Sequence, residues 1–128
     1  MEKEFIPYEQ ALVLKELGFD EECFSYYNYK EEITFSSCFN KLPIIMSGKK
    51  CAIPTFSQAF RWFMEKGYFA QIYPDNSQFV NEAKEWFYSI KNGSITTNDE
   101  KYYSYEQAEL GCINKLIEIV KEHGTNVD

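Results

Sequence analysis

The sequence predicts a single α+β domain over residues 1–128, in which helices pack on an antiparallel sheet in the order α-β-β-α-β-β-α. Two observations lead to this prediction. Three segments combine helix-start signals with apolar residues at helical spacing, and each of the first two is followed by a pair of short, aromatic-rich runs typical of a hairpin. The chain has 128 residues, 45% of them hydrophobic, and is therefore long enough to bury a core without disulfides or a metal.

The first and third helices are predicted over residues 7–17 and 104–122. Pro7 suits a first helical turn, because its missing N–H would be unpaired there, and Gly18 supplies a stop signal. The third helix has the clearest period, so we expect it to pack along its whole length on a sheet, with Gly124 following its end. Its apolar stripe consists of Ala108, Cys112, Ile113, Leu116, Ile117 and Val120.

Capping boxes mark the starts of the second helix, predicted over residues 55–66, and of the third. Thr55 pairs with Gln58, and Ser104 pairs with Gln107. In each box the hydroxyl and the amide each satisfy a backbone N–H that a helix start leaves unpaired. We therefore expect both glutamine side chains to fold back onto the starts of their own helices.

Four strands are predicted to form two hairpins. They cover residues 23–27, 33–36, 68–73 and 85–90. Residues 40–54 are expected to form a long connection with room for a short strand at 43–46, and residues 93–99 a loop. Gly48-Lys49-Lys50, in the first of these segments, lacks the spacing of a phosphate-binding loop and is interpreted as a solvated turn.

The three helix starts share an aromatic-x-Gln-Ala pattern. They are Tyr8-Glu9-Gln10-Ala11, Phe56-Ser57-Gln58-Ala59 and Tyr105-Glu106-Gln107-Ala108. After the first two helices, Gly18-Phe19 and Gly67-Tyr68 lead into a hairpin. The pattern favours a duplicated helix-hairpin unit, residues 7–37 and 55–91, closed by the helix at 104–122. The alternative is that common capping chemistry arose three times independently.

Composition argues against several classes of function. The net charge of −7 disfavours binding to duplex nucleic acid, because an acidic surface repels phosphate. A charged N-terminus and the lack of a long apolar run argue against a signal peptide and a membrane partner, so we expect a cytoplasmic protein with free thiols. With one histidine and no Cys-x-x-Cys pair, we expect no metal site, no cofactor and no catalytic residue.

The first candidate binding feature is Arg61, the only arginine, which lies beside Trp62 in the second helix. Its planar guanidinium suits a phosphate, a carboxylate or an acidic partner in a way that lysine does not. The alternative is a surface ion pair with Glu65, one helical turn away. The other candidates are strand rings, since neighbouring strand residues point to opposite faces and some rings should lie on the surface. They are Tyr27, Tyr73, Trp86 and Tyr88.

Four segments carry a family resemblance: Tyr8–Phe19, Pro54–Phe63, Tyr105–Glu109 and Lys115–Lys121. In these segments the chain resembles a family of small proteins without an established activity from Bacteroidetes-type gut bacteria and their phages or prophages. The resemblance spans most of the chain except residues 40–52 and 93–101. It implies a phage or mobile-element accessory protein, and it transfers no catalytic residue.

Three functions remain open at this point. The leading one is a non-enzymatic accessory protein that binds a host protein, with an anti-defence role. The second is a sponge for a nucleotide-like signal, which needs a pocket where Arg61 or a lysine meets stacked rings, within one chain or across a homodimer interface. The third is a structural or assembly component of a virion. A protein-binding module should instead present a flat or convex apolar patch.

Overall fold

In a computed structural model of the chain, residues 4–38, 40, 49–74, 85–93, 95–98 and 101–124 are described. The elements in chain order are α1 (Tyr8–Glu16), β1 (Tyr26–Asn28), β2 (Ile33–Thr34), β3 (Lys49–Ala52), α2 (Phe56–Glu65), β4 (Phe69–Pro74), β5 (Trp86–Asn92), β6 (Ile95–Asn98) and α3 (Tyr105–Gly124). The pairs between these strands are antiparallel, which confirms the predicted α+β class. The sequence does not predict β3 or β6.

The chain divides into two compact units, Met1–Ala59 (unit 1) and Phe60–Asp128 (unit 2), with the boundary inside α2. Both expected helix-hairpin pairs are present, because α1 precedes the β1–β2 hairpin and α2 precedes the β4–β5 hairpin. The third strand joins differently in the two units: the strand orders are β2-β1-β3 and β4-β5-β6. The single domain over residues 1–128 and the duplication of 7–37 and 55–91 stay predictions.

The β1–β2 turn of unit 1 is organised by one side chain. The Asn28 side-chain oxygen accepts hydrogen bonds from the backbone N–H groups of Lys30 (2.8 Å) and Glu32 (3.0 Å). Glu31, between them, has a φ of 63°, in the left-handed region that non-glycine residues rarely adopt. Asn28 therefore holds Glu31 in a backbone conformation that glycine adopts more readily.

The unit 1 strands differ from their predicted extents. The strands predicted at 23–27 and 33–36 are shorter in the structure, where they cover Tyr26–Asn28 and Ile33–Thr34. Cys23 lies outside the first of them and makes only an isolated bridge, to Cys38. The interpretation of Gly48-Lys49-Lys50 as a solvated turn is wrong for both lysines, which begin β3 and pair with β1. Two lysines in a row carry no strand signal, so a non-local pairing places them there. The short strand at 43–46 falls outside the described residues.

In unit 2 the strands follow one another as a meander. β5 lies between β4 and β6, and Gly93, with a φ of 65°, turns the chain from β5 into β6. The prediction of a loop over residues 93–99 is therefore wrong for Ile95–Asn98. Asn92-Gly93 lies at the turn of a hairpin, because β5 ends at Asn92 and β6 begins at Ile95.

The helix starts confirm the caps but not all of the capping boxes. The backbone N–H of Gln58 donates to the Thr55 hydroxyl, and that of Gln107 donates to the Ser104 hydroxyl, both at 3.1 Å. The Gln107 side chain accepts from the N–H of Tyr103 (3.2 Å), one residue before the expected donor. The expectation that the Gln58 side chain also folds back onto its own helix start is wrong.

The Gln58 side chain leaves its own helix start. Its amide donates to the backbone carbonyl of Glu22 (2.8 Å), and so ties the start of α2 to the segment before β1. Pro7 also differs from expectation, since it precedes α1 as the N-cap with an extended ψ of 160°. The end of α3 lies at Gly124 itself, and not before it.

The ends of α1 and α2 have the same geometry. In α1 the N–H of Gly18 donates to the Lys15 carbonyl and that of Phe19 to the Leu14 carbonyl; in α2 the N–H of Gly67 donates to Met64 and that of Tyr68 to Phe63. Gly18 and Gly67 have φ values of 101° and 97°, the left-handed conformation that this helix end requires. Glycine therefore fixes the point at which each hairpin begins.

One alanine is buried at the same position of every helix. Ala11, Ala59 and Ala108, each the fourth helical residue, are no more than 1% exposed. The predicted stripe of α3 is also confirmed, except that Val120 is only half-buried. A methyl group at the contact lets a helix backbone lie close to the residues it packs on.

α3 comes close to the ring of Tyr102 at Gly111. α3 packs against β4 and β5. Tyr102 pairs through its backbone with Trp86 and stacks its ring near that of Tyr88, with centroids 6.1 Å apart. A Cβ at Gly111 would lie 2.3 Å from the Tyr102 hydroxyl oxygen, so the glycine makes room for the ring.

We predict that Gly111→Ala destabilises the protein by about 1–3 kcal/mol, because the added methyl collides with a ring that the sheet holds in place. Helix propensity alone would give the opposite sign, a gain of about 1 kcal/mol. In the Tyr102→Ala background the same substitution should become neutral or stabilising. Urea unfolding of the four proteins in this cycle measures the coupling, and equal effects of Gly111→Ala in both backgrounds would refute the contact.

Candidate functional site

Arg61 is exposed on α2. Within the part of the chain that the structure describes, no carboxylate lies within ion-pair distance of its guanidinium, so the alternative of a pair with Glu65 is not realised. Arg61 therefore stays a candidate for an outside ligand. No basic or aromatic group from the described residues is shown to converge with it.

Trp62 is not the surface neighbour that Arg61 was expected to have. Its side chain is only 7% exposed and packs edge-on against Phe63, with ring centroids 5.0 Å apart. The ammonium of Lys66 lies 4.4 Å from the centre of the tryptophan ring, in a cation–π contact. Trp62 therefore belongs to the buried face of α2, together with Phe63.

Two of the other candidate rings are also core residues. Tyr27 is 7% exposed, and its hydroxyl donates to the Ile6 carbonyl at 3.3 Å. Tyr88 is 1% exposed and Trp86 is half-buried, with its ring edge-on to Tyr105 of α3 at 5.3 Å. The expectation that Tyr27 and Tyr88 face solvent is therefore wrong, and Trp86 lies on the helix-covered side of its sheet.

The opposite side of the unit 2 sheet is defined by the strand register. Phe69 lies opposite Lys91, Gln71 opposite Ser89, and Tyr73 opposite Phe87. Since side chains alternate along a strand, these six share one face, and Trp86, Tyr88 and Ile90 share the face that α3 covers. We call the first the outer sheet face; it consists of Phe69, Gln71, Tyr73, Phe87, Ser89 and Lys91.

The outer sheet face is aromatic and open. Phe69 is 54% exposed, Gln71 and Lys91 are exposed, and the other members are half-buried. Tyr73 and Phe87 stack across the two strands, with ring centroids 5.7 Å apart and planes 22° apart. The stack lies at one end of the face and the exposed Phe69 at the other, with the Gln71–Ser89 pair between them.

A second cluster lies in unit 1, and we call it the lysine–tyrosine cluster: Tyr8, Lys15 and Lys50. The Lys50 ammonium donates to the Tyr8 hydroxyl and lies 5.0 Å from the centre of the same ring. The Lys15 ammonium donates to the Lys50 backbone carbonyl at 2.8 Å. Tyr8 in turn rests edge-on against Tyr27, with centroids 5.1 Å apart. Two cations and a phenol therefore meet where α1 packs on β3.

The hydrogen bond to Tyr8 raises the pKa of the Lys50 ammonium above its ordinary value of 10.5, and burial partly opposes the increase. The neighbouring Glu31 carboxylate raises the pKa further. Lys50 is therefore a fixed positive charge at every physiological pH. An anion that approached it would meet a protonated ammonium already oriented by the phenol.

Sequence reasoning chose one residue of the outer sheet face, Tyr73, and missed Phe69 and Phe87. Alternation identified Trp86 and Phe87 as opposite-facing, but only the position of α3 decides which of them is outside. Tyr8 and Lys50 were missed because they are 42 residues apart and meet only through β3. Among the described residues no group of three or more His, Cys, Asp or Glu side chains is arranged to hold a metal ion.

A search of the described helices for membrane spans finds none that is both long and apolar enough. Comparisons with protein-family models, with curated proteins and with solved structures give no match to the chain. The resemblance to a phage-associated family therefore stays a prediction, and the site has to be judged on its own chemistry.

We predict that Tyr8→Phe lowers the pKa of Lys50, because the variant removes the hydroxyl that accepts from the ammonium. A folded-state pKa above the unfolded one stabilises the fold at lower pH, and this contribution is lost as the pH rises through the folded pKa, above 10.5. NMR titration of the lysine side-chain signals measures the change. Tyr26→Phe, on the other face of β1, should leave the Lys50 pKa unaltered; equal values in wild type and Tyr8→Phe would contradict the prediction.

Proposed function

We propose that the chain is a non-enzymatic binding protein that docks on a protein partner through the outer sheet face. The observation that carries this proposal is that the exposed Phe69 shares one face with the Tyr73–Phe87 stack, on the side of the sheet away from α3. Aromatic side chains are enriched at protein interfaces, where they bury a large area at a small cost in conformational entropy.

The composition of the outer sheet face fits a protein partner. The Gln71–Ser89 pair lies between Phe69 and the Tyr73–Phe87 stack, and Lys91 lies opposite Phe69, so the face offers both aromatic contacts and hydrogen-bonding groups to a partner. An antiparallel sheet offers a nearly flat surface, which suits another folded surface better than a small molecule that needs enclosure. The net charge of −7 favours a partner with a basic surface, through long-range attraction.

The family resemblance supports the biological setting of the proposal. In that setting the chain is a phage or mobile-element accessory protein in the cytoplasm of a bacterial host, and its partner is a host protein, with an anti-defence role. A virion component is the weaker alternative; it would be recovered in purified particles. A second copy of the chain is a further partner that the outer sheet face would fit.

We predict that Phe69→Ser weakens binding to a host partner by at least about tenfold, which corresponds to about 1.4 kcal/mol. Immobilised wild type is first used to capture a saturable partner from host extract, and the purified partner is then titrated against the variants. Phe24→Ser is the matched control, since Phe24 is an exposed phenylalanine of unit 1, at 74%.

The control distinguishes specific binding through the outer sheet face from nonspecific adsorption through any exposed phenylalanine. If Phe24→Ser weakens binding as much as Phe69→Ser, or if neither does, the outer sheet face is not the binding surface. Sedimentation of the same proteins tests the homodimer: a dimer that Phe69→Ser converts to monomer would make a second copy the partner.

The lysine–tyrosine cluster favours a second candidate function, the binding of a nucleotide-like anion. A lysine that meets paired rings is the arrangement that such a sponge requires, and Lys50 meets Tyr8 and, through it, Tyr27. Phosphate would pair with the Lys50 and Lys15 ammonium groups, which keep unused N–H donors among the described residues. The nearby Glu31 opposes an anion, so we rank this function second.

We predict that, if this second function holds, a cyclic or linear nucleotide at about 100 times its dissociation constant raises the melting temperature by several degrees. Lys50→Met should abolish the increase, because it removes the charge and keeps the apolar stem. Arg61→Ala is the control, and loss of the increase in that variant would move the site to α2. No increase with any nucleotide would eliminate this function and leave the protein-binding proposal untouched.

A further inference from the structure

Three of the four cysteines lie together in the core of unit 1. Cys23, Cys38 and Cys51 are 0%, 3% and 1% exposed, and all of them are free thiols. The fourth, Cys112, belongs to α3 in unit 2. Neither the outer sheet face nor the lysine–tyrosine cluster uses any of these thiols. Buried cysteines usually act as small apolar groups, so a further role needs a specific geometric reason.

That reason is the pairing of Cys23 with Cys38. The two residues lie directly opposite each other in an isolated antiparallel bridge, and each N–H donates to the carbonyl of the other at 2.9 Å. Directly opposed residues that exchange both hydrogen bonds have Cα atoms about 5.5 Å apart and side chains on the same face. Disulfides form across Cα separations of about 4.4–6.8 Å, so the Cα separation of this pair is within the range that a disulfide spans.

We propose that Cys23 and Cys38 are a reversible disulfide-forming pair that responds to low-molecular-weight disulfides such as oxidised glutathione. In the first step the Cys23 or Cys38 thiolate attacks the small disulfide and releases one molecule of its thiol. In the second, the other cysteine thiolate attacks the mixed disulfide and releases the second molecule. The two protein thiols are thereby oxidised, one small disulfide is reduced to two thiols, and the two cysteine protons pass to the released thiolates.

Cys51 is less suited to form a disulfide with Cys23 or Cys38 because of its position in the strand register. It lies in β3 directly opposite Tyr27 of β1, so neither Cys23 nor Cys38 faces it across a bridge. The thiols of Cys51 and Cys23 both donate to a nearby backbone carbonyl, of Ala52 (3.4 Å) and Glu21 (3.5 Å), so these contacts do not distinguish the two residues. Cys23 and Cys38, in contrast, are held in register by two backbone hydrogen bonds and by the neighbouring contact of the Ser37 hydroxyl with the Glu22 carboxylate, at 2.7 Å.

The native thiols are protected from rapid reaction. Burial, together with the neighbouring Cys38 and Cys51, raises the pKa of Cys23 to about 12. Burial also raises the pKa of Cys51, to about 11. Because the thiolate is the nucleophile, oxidation has to wait for a local opening of this part of unit 1. At high concentrations of the oxidant, the rate should therefore become independent of that concentration.

The geometry also predicts that the disulfide is easily reduced. In a pair that exchanges both hydrogen bonds the Cβ atoms stand near the upper end of the 4.5–5.5 Å range, farther apart than the about 3.8 Å of a relaxed disulfide. Closing this gap strains the bond, and strained disulfides have more oxidising potentials. The bond would enclose the β1–β2 hairpin and so restrict the unfolded chain, which stabilises unit 1 while the environment is oxidising.

The test is oxidation of the purified full chain by excess oxidised glutathione, followed by alkylation of free thiols and peptide mass mapping. We expect one dominant product, the Cys23–Cys38 disulfide with Cys51 and Cys112 alkylated, and a higher melting temperature that dithiothreitol returns to its starting value. Cys51→Ala and Cys112→Ala should give the same product, and Cys38→Ala should not. The mapping of wild type decides the question even if a variant fails to fold.

Several outcomes would overturn the proposal. A stable glutathione adduct, a dominant disulfide that includes Cys51, or four free thiols in the native chain under conditions that fully oxidise the urea-unfolded chain would each exclude a Cys23–Cys38 pair. The unfolded sample is also the control for chance pairing. If native and unfolded chains give the same mixture of disulfides, then the bridge geometry does not direct the reaction.

Discussion

The buried alanine one turn into each helix is the constraint on which the repeated pattern depends. Ala11, Ala59 and Ala108 are all excluded from solvent, and a larger side chain at any of them would have to push apart closely packed groups. The glutamine that precedes each alanine has no such common role: Gln58 reaches the Glu22 carbonyl, and Gln107 accepts from its own helix start. The pattern is therefore explained by packing first and by capping second.

The same local pattern of helix, glycine and hairpin occurs in two sheets with different strand orders. A glycine in the left-handed conformation ends α1 and α2, and a hairpin follows in each unit. β3 pairs with β1, the first strand of its hairpin, whereas β6 pairs with β5, the second strand of its hairpin. In unit 1 the named strands have two to four residues, and the features of interest are side chains that meet between elements. In unit 2, β4 and β5 have six and seven residues, long enough to present a continuous face.

The sequence predicted what is encoded locally. Hydroxyl caps and glycine stops gave the helices to within about two residues, and alternation gave one hairpin after each of the first two helices. β3 and β6 were missed because Lys49–Ala52 and Ile95–Asn98 acquire their strand conformation by pairing with β1 and β5. For the candidate site, alternation showed that Trp86 and Phe87 face apart. It could not show which of them α3 covers, since that choice depends on packing between distant parts of the chain.

The contact between Tyr102 and Gly111 fits that choice. The backbone of Tyr102 pairs with Trp86, so its ring lies on the same side of the sheet as Trp86 and Tyr88. Gly111 lets α3 approach that ring, and the helix therefore settles on this side. A one-residue slip of β5 would exchange the two faces and bury Phe87 in place of Tyr88. The outer sheet face, where we place the binding function, is thus the side of the sheet opposite the half-buried contact of α3 with Tyr102.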